Sequence, residues 1–157
     1  MGAFFPNIKK FLKLSRPEQR ILIEAYLTLG VMRAAILTIP FKKLSRSLRQ
    51  LSPPALAAPL APEERAIACA VGRGIKRAAQ HTPWESACLA QSLTARRMLQ
   101  QRGIGGLLYL GVKKKEAEDK GAMAMEAHAW SQCGEIIITG GEGSEAFTVI
   151  SIFSWGN

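Results

Sequence analysis

Two side chains in this chain could form a nucleophilic pair, the thiol of Cys88 and the imidazole of His128. Pro83 and Trp84 interrupt the preceding structure, and an apolar helical pattern follows Cys88, so this cysteine is predicted to lie in the first turn of a helix. Free backbone N–H groups and the helix dipole at such a position favour a thiolate. His128 lies 40 residues later in a segment with strand character. A pair of this kind performs acyl chemistry in many enzymes, although Cys88 could also be a small core residue.

The strand that carries His128 predicts which residue orients its ring. If Cys133 and Gly134 form a two-residue hairpin loop, His128 lies opposite Thr139 on the next strand. By alternation, Trp130 shares the face of His128, whereas Ala129 faces a packed helix. Thr139 is therefore the candidate third catalytic residue. Three carboxylates remain as alternatives for that role, namely Glu126, Glu142 and Glu145.

Composition limits the class of protein. The 157 residues are 48% hydrophobic and 21% charged, which is typical of one globular domain. The chain has three cysteines, Cys69, Cys88 and Cys133. Because this number is odd and no CxxC pair is present, neither a disulfide framework nor a zinc site is expected. We expect no metal or other cofactor and a cytoplasmic location. Cys69 is interpreted as core and His81 as a surface or cap residue.

The net charge of +9 is concentrated at one end of the chain. Residues 1–50 hold ten Lys or Arg against two Glu, a net +8, and the remainder holds eleven against ten, a net +1. Such a region attracts an acidic peptide, an acidic protein or a membrane surface. Nucleic acid is not expected, because no helix-turn-helix, zinc-finger or RNA-binding pattern accompanies the charge.

The chain divides into a basic N-terminal helical region over residues 1–50, a Pro/Ala-rich linker over 51–62 and a catalytic domain over 63–157. Ser15 and Glu18 predict a capped helix that ends at Pro40. A second helix is predicted to follow, with four basic residues on one face: Lys42, Lys43, Arg46 and Arg49.

The stretch from residue 21 to residue 41 is mostly apolar and allows three interpretations. It could span a membrane, contact a membrane surface or be a helix buried on two sides. Glu24 and Arg33 within the stretch weigh against a span, and we favour the buried helix.

The region after the linker reads as two helices followed by at least four strands. This order predicts an α+β fold with an antiparallel sheet on one side of the nucleophile helix.

Four segments together resemble the lasso-peptide leader peptidases, whose catalytic domain is similar to transglutaminases and papain-like proteases. They are residues 14–41, 83–93, 102–112 and 128–141. The resemblance implies that Cys88 is the nucleophile and His128 the general base and acid. The chain departs from the family's Cys-His-Asp pattern at Thr139, which stands where the aspartate is expected.

The resemblance also implies partners. These are a lasso precursor peptide with its leader, a separate leader-recognition protein, since residues 1–50 read as helices, and an ATP-dependent lasso cyclase. A weak membrane-surface contact is a further expectation from the N-terminal residues. Two other functions stay open, a transglutaminase-like acyl transferase and a non-catalytic peptide-binding module.

Overall fold

A computed structural model describes residues 5–47, 49–51, 58–116 and 123–156. The helices are α1 (Phe5–Leu12), α2 (Arg16–Thr38), α3 (Phe41–Leu44), α4 (Pro62–Ala79) and α5 (Cys88–Gln100). The strands are β1 (Arg49–Leu51), β2 (Gly106–Glu116), β3 (Met123–Cys133), β4 (Ile136–Thr139) and β5 (Thr148–Trp155).

The strands form one sheet in the order β1-β5-β2-β3-β4, and every neighbouring pair is antiparallel. β2 and β3 are its longest strands and pair without interruption from Leu107–Gln132 to Glu116–Met123. The predicted α+β fold with an antiparallel sheet is confirmed.

The core lies between one face of the sheet and three helices, α2, α4 and α5. Each helix contributes fully buried apolar side chains, such as Leu29 from α2, Ile75 from α4 and Leu99 from α5. Leu108 of β2 meets them from the sheet. Burial of this apolar surface is the main force that holds the helices on the sheet.

The predicted cap of α2 is present. The Glu18 carboxylate accepts hydrogen bonds from the Ser15 N–H at 2.9 Å and from the Ser15 hydroxyl at 2.7 Å. These bonds hold the pKa of Glu18 below its ordinary value. The cap explains why the helix begins here, and Pro40 follows its end.

The helix predicted over residues 41–49 is wrong. α3 ends at Leu44, a 3₁₀ turn follows over Ser45–Ser47, and Arg49–Leu51 forms β1 against β5. Helical periodicity in a short segment does not show whether a sheet edge will offer backbone hydrogen-bond partners, as β5 does here to residues 49–51. The four basic residues therefore do not share one helix face. Of the predicted linker, residues 52–57 lie outside the described residues.

α2 is long and apolar enough, by length and composition alone, to cross a membrane. In the fold its inner face packs on α4 and α5, with Ala25 and Leu29 fully buried. Its outer face is exposed, so the expectation of a helix buried on two sides is wrong. Helical periodicity shows which residues share a face, but not whether another element covers that face.

α2 also supports the loop that leads into α5. The rings of Tyr26 and Trp84 lie 5.3 Å apart between centroids. A Cβ added at Gly30 would lie 3.2 Å from the Trp84 ring, so the indole lies directly against the helix backbone. Arg33 and Glu85 form an ion pair at 3.4 Å. These contacts hold the segment that precedes Cys88.

Candidate active site

Cys88 is the first residue of α5, as the sequence predicts, and its thiol is free and half-buried. The preceding residue, Ala87, has extended backbone angles, so the helix begins at the cysteine itself. Ser86 is fixed by two hydrogen bonds, one to its side chain and one to its backbone. Its hydroxyl lies 2.8 Å from Thr82 Oγ1, and its carbonyl accepts a 2.8 Å bond from the Gln91 amide. The nucleophile candidate therefore begins a helix whose entry is fixed.

His128 lies in the middle of β3, opposite Gly111 of β2. Its ring packs against Phe147 at 4.9 Å and Trp130 at 5.8 Å between centroids. A Cβ at Gly111 would lie 2.9 Å from both the Phe147 Cβ and the Trp130 ring. Glycine opposite the histidine thus leaves room for the aromatic rings around it.

The hydrogen bond of the His128 ring joins Nε2 to the Gly140 carbonyl oxygen at 2.7 Å. A carbonyl oxygen only accepts, so Nε2 carries the proton of this bond. In the neutral ring Nδ1 then keeps a lone pair and can take a proton. A main-chain carbonyl thus fixes the tautomer, the role that a carboxylate or amide side chain plays in many triads.

The hairpin register predicted for β3 and β4 is wrong. The loop is Gly134 and Glu135, with Cys133 paired to Ile136, and a register shift then brings Thr139 opposite Ser131. The physical reason is that Gly134 has a positive φ of 55°, which suits the first position of a two-residue loop. Cys133 is fully buried and ends β3 instead.

Thr139 therefore does not lie opposite His128, and the structure places its hydroxyl elsewhere. Thr139 Oγ1 lies 2.8 Å from Ser131 Oγ and 3.1 Å from Ser92 Oγ, and all three residues are buried. Ser92 is one helical turn after Cys88. This hydroxyl cluster joins α5, β3 and β4. The sequence analysis did not predict this cluster. Ser92, a polar residue within the apolar pattern of α5, was the signal that could have indicated it.

Two of the three alternative carboxylates have lysine partners. Glu126 pairs with Lys113 at 3.3 Å, and Glu142 with Lys76 at 2.8 Å. The ion pair with Lys76 holds the pKa of Glu142 below its ordinary value. Glu145 is exposed in a 3₁₀ turn. Gly140, which no prediction named, is the residue bonded to the histidine.

One short segment contacts both candidate catalytic elements. Thr139 bonds to Ser92 of α5, and the next residue, Gly140, accepts the bond from His128. Ala129 and Ser131 lie on the face of β3 that meets α5, while His128 alternates to the other face and reaches Gly140 just beyond the end of β4. Within the described ranges, no hydrogen bond joins Cys88 Sγ to His128. Catalytic hydrogen bonds commonly close only in the substrate complex.

A family model described as the Transglutaminase-like superfamily matches residues 35–152. The chain belongs to the transglutaminase-like superfamily. The match covers α4, α5 and nearly the whole sheet, which confirms the transglutaminase-like fold. This superfamily includes cysteine peptidases and acyltransferases. No curated protein and no solved structure matches the chain.

Proposed function

We propose that this transglutaminase-like protein is a cysteine peptidase that removes the leader from a ribosomally made lasso-peptide precursor. The chemistry is supported by two separate observations, a half-buried thiol at the first residue of α5, Cys88, and a histidine, His128, whose Nε2–H is held by the Gly140 carbonyl. The substrate class rests on the resemblance of four segments to lasso-peptide leader peptidases, together with the superfamily match.

The proposed reaction assigns each proton a place. His128 Nδ1 takes the thiol proton of Cys88, and the thiolate attacks the carbonyl carbon of the scissile bond. When the tetrahedral intermediate collapses, the imidazolium gives its proton to the leaving amine and a thioester remains. Water, deprotonated by His128, then attacks the thioester and releases the leader carboxylate, and the imidazolium returns its proton to the Cys88 sulfur. Throughout, the Gly140 carbonyl keeps Nε2 protonated and the ring oriented.

The proposed partners are the precursor, a separate leader-recognition protein and the ATP-dependent lasso cyclase, all in the cytoplasm. Charge supports a docking role for the N-terminal region. Lys42, Lys43 and Arg46 are exposed, and none of them forms an ion pair within the described residues. An acidic leader or an acidic surface of the recognition protein would neutralise them.

Acyl transfer is the second candidate function, because the superfamily includes acyltransferases and the thioester is common to both reactions. The two functions differ only in the acceptor, which is water for a peptidase and an amine for a transferase. A binding module without catalysis would leave the peptide intact.

The test incubates the full chain with precursor and recognition protein and weighs the products by mass spectrometry. A peptidase yields two fragments whose masses sum to the precursor plus one water, whereas a transferase yields an amine adduct. Cys88→Ala should abolish product formation, and Cys69→Ala, which removes another half-buried thiol, should retain it. Intact peptide with wild-type protein, or turnover by folded Cys88→Ala protein, would refute the proposal.

A further inference from the structure

The outer face of α2 carries a continuous row of exposed aliphatic side chains. Ile23, Leu27 and Val31 are 50%, 63% and 63% exposed. Their spacing of four residues places them on one side of the helix, and we call them the outer stripe. Of the twelve exposed large apolar side chains among the described residues, seven lie between residues 8 and 39. Such a concentration of exposed apolar surface marks an interaction site.

The helix that carries the outer stripe is fixed to the catalytic fold. Ala25 and Leu29 on its inner face are fully buried. Glu24 accepts two hydrogen bonds from Arg102, at 2.6 and 2.9 Å, which tie α2 to the end of α5. α2 cannot cross a bilayer while these contacts persist. Whatever covers the outer stripe must therefore lie along the helix.

The segments that precede and follow the outer stripe in the chain are strongly basic. Five exposed cations lie before it, namely Lys9, Lys10, Lys13, Arg16 and Arg20. Three more lie after it, namely Lys42, Lys43 and Arg46. Of the two carboxylates in this region, Glu24 is paired with Arg102, so the single charge of Glu18 remains against these eight cations. An occupant of this face should therefore combine an apolar layer with negative charge.

We propose that the outer stripe and its flanking cations bind the surface of an anionic phospholipid membrane, with α2 parallel to that surface. Aliphatic side chains at the centre would enter the boundary between headgroups and acyl chains, and the cations at both ends would contact lipid phosphates. This inference is independent of the proposed peptidase chemistry, but it competes with the docking role of Lys42, Lys43 and Arg46, since these cations cannot contact lipid and an acidic protein surface at the same time.

The first experiment measures co-sedimentation of the full chain with vesicles of pure phosphatidylcholine and with vesicles that also contain phosphatidylglycerol. The expected result is binding to the anionic vesicles, little binding to the neutral ones, and weakening with added salt, because exposed charges are screened over about 8 Å at physiological ionic strength. Equal binding to both vesicles, or binding to neither, would overturn the proposal.

Matched variants locate the binding face. Leu27→Gln should reduce anionic-vesicle binding about tenfold, because the leucine side chain would be buried at the lipid boundary in the bound state and glutamine is polar. Ile150→Gln, at a similarly exposed position on β5, should leave binding unchanged, since Leu27 and Ile150 are 63% and 59% exposed. Arg16→Glu with Arg20→Glu should weaken binding, and Lys114→Glu with Lys115→Glu on β2 should weaken it less. Equal effects of the two apolar variants, or of the two charge variants, would contradict the assignment.

Two further outcomes would assign the outer stripe to a protein instead. Sedimentation that shows a wild-type dimer and a monomeric Leu27→Gln variant would identify a second copy of the chain as the occupant. Loss of recognition-protein binding by Leu27→Gln in the absence of vesicles would identify that protein. Either result overturns membrane binding as the role of this face. Circular dichroism confirms that each variant folds.

Discussion

His128 Nε2 lies 2.7 Å from the carbonyl oxygen of Gly140, and this bond places a backbone group where a carboxylate is usual. A carbonyl offers a dipole rather than a full negative charge, so it fixes the ring but stabilises the imidazolium less than an aspartate would. It also cannot be protonated at any ordinary pH. The orientation of His128 thus depends on the backbone conformation at residue 140.

The first prediction concerns that conformation. Gly140 has a φ of 72°, and a Cβ there would contact the Ala129 carbonyl oxygen and lie 3.0 Å from the Trp130 Cβ. Gly140→Ala should therefore displace the carbonyl and reduce turnover about a hundredfold. Gly143→Ala is the matched control, because Gly143 has a φ of 74° and open space around its Cβ position. Equal turnover of the two variants would show that the Gly140 carbonyl does not orient His128.

The second prediction separates the two histidines. His128→Ala should lower turnover at least about a hundredfold, because it removes the group that moves the proton. His81→Ala should retain turnover, since His81 is exposed at the end of α4. The measurement is the rate of leader release, with circular dichroism as the check on folding. Comparable losses in both variants would remove His128 from its assigned role.

The third prediction is that Thr139 contributes to the stability of the fold rather than to catalysis. Thr139→Val should lower the free energy of unfolding by about 1–3 kcal/mol, because Ser92 and Ser131 lose a buried hydrogen-bond partner. Turnover well below the melting temperature should change little, as no described bond joins Thr139 to His128. Thr148→Val, at an exposed position, should affect neither quantity. A large loss of turnover without a loss of stability would instead support a catalytic role for Thr139.

The fourth prediction follows from burial of Cys133, which raises the pKa of its thiol from 9.0 to about 12. The unfolded chain ionises first as pH rises, so the contribution of this thiol to stability is complete below pH 9 and is lost towards pH 12. The advantage of wild type over Cys133→Ala in unfolding free energy should shrink by about 2 kcal/mol between about pH 8 and about pH 10.5.

Cys69→Ala controls for the loss of a cysteine as such, and denaturant unfolding at the two pH values supplies the measurement. A constant difference between wild type and Cys133→Ala would mean that the Cys133 thiol is not desolvated in the folded protein.

Local signals predicted the elements that carry the site. The Ser15–Glu18 cap set the start of α2, and the break at Pro83 and Trp84 set the start of α5 at Cys88. Each depends on neighbours within a few residues, so each is visible in a sequence. The strand character around His128 was visible for the same reason.

The remaining features depend on contacts between distant segments. The loop at Gly134 and Glu135 displaces the register by two residues, and the irregularity between Ser131 and Gln132 displaces it by one more, so Thr139 lies opposite Ser131, three residues from His128. The group that orients His128 is a backbone carbonyl. Every residue has one, so residue type does not indicate it. The exposure of Leu27 likewise depends on which helix face the rest of the fold covers.

The match to the superfamily begins at residue 35, near the end of α2, whereas the contacts that hold the entry to α5 begin earlier. A chain cut at that boundary would lack Tyr26, Gly30 and Arg33, and with them the cover of the Trp84 indole and the ion partner of Glu85. It would also lack the buried Leu29. The segment that matches the family is therefore shorter than the structure that holds the entry to α5, and the start of the helix that begins with Cys88 is supported in part by residues outside the match.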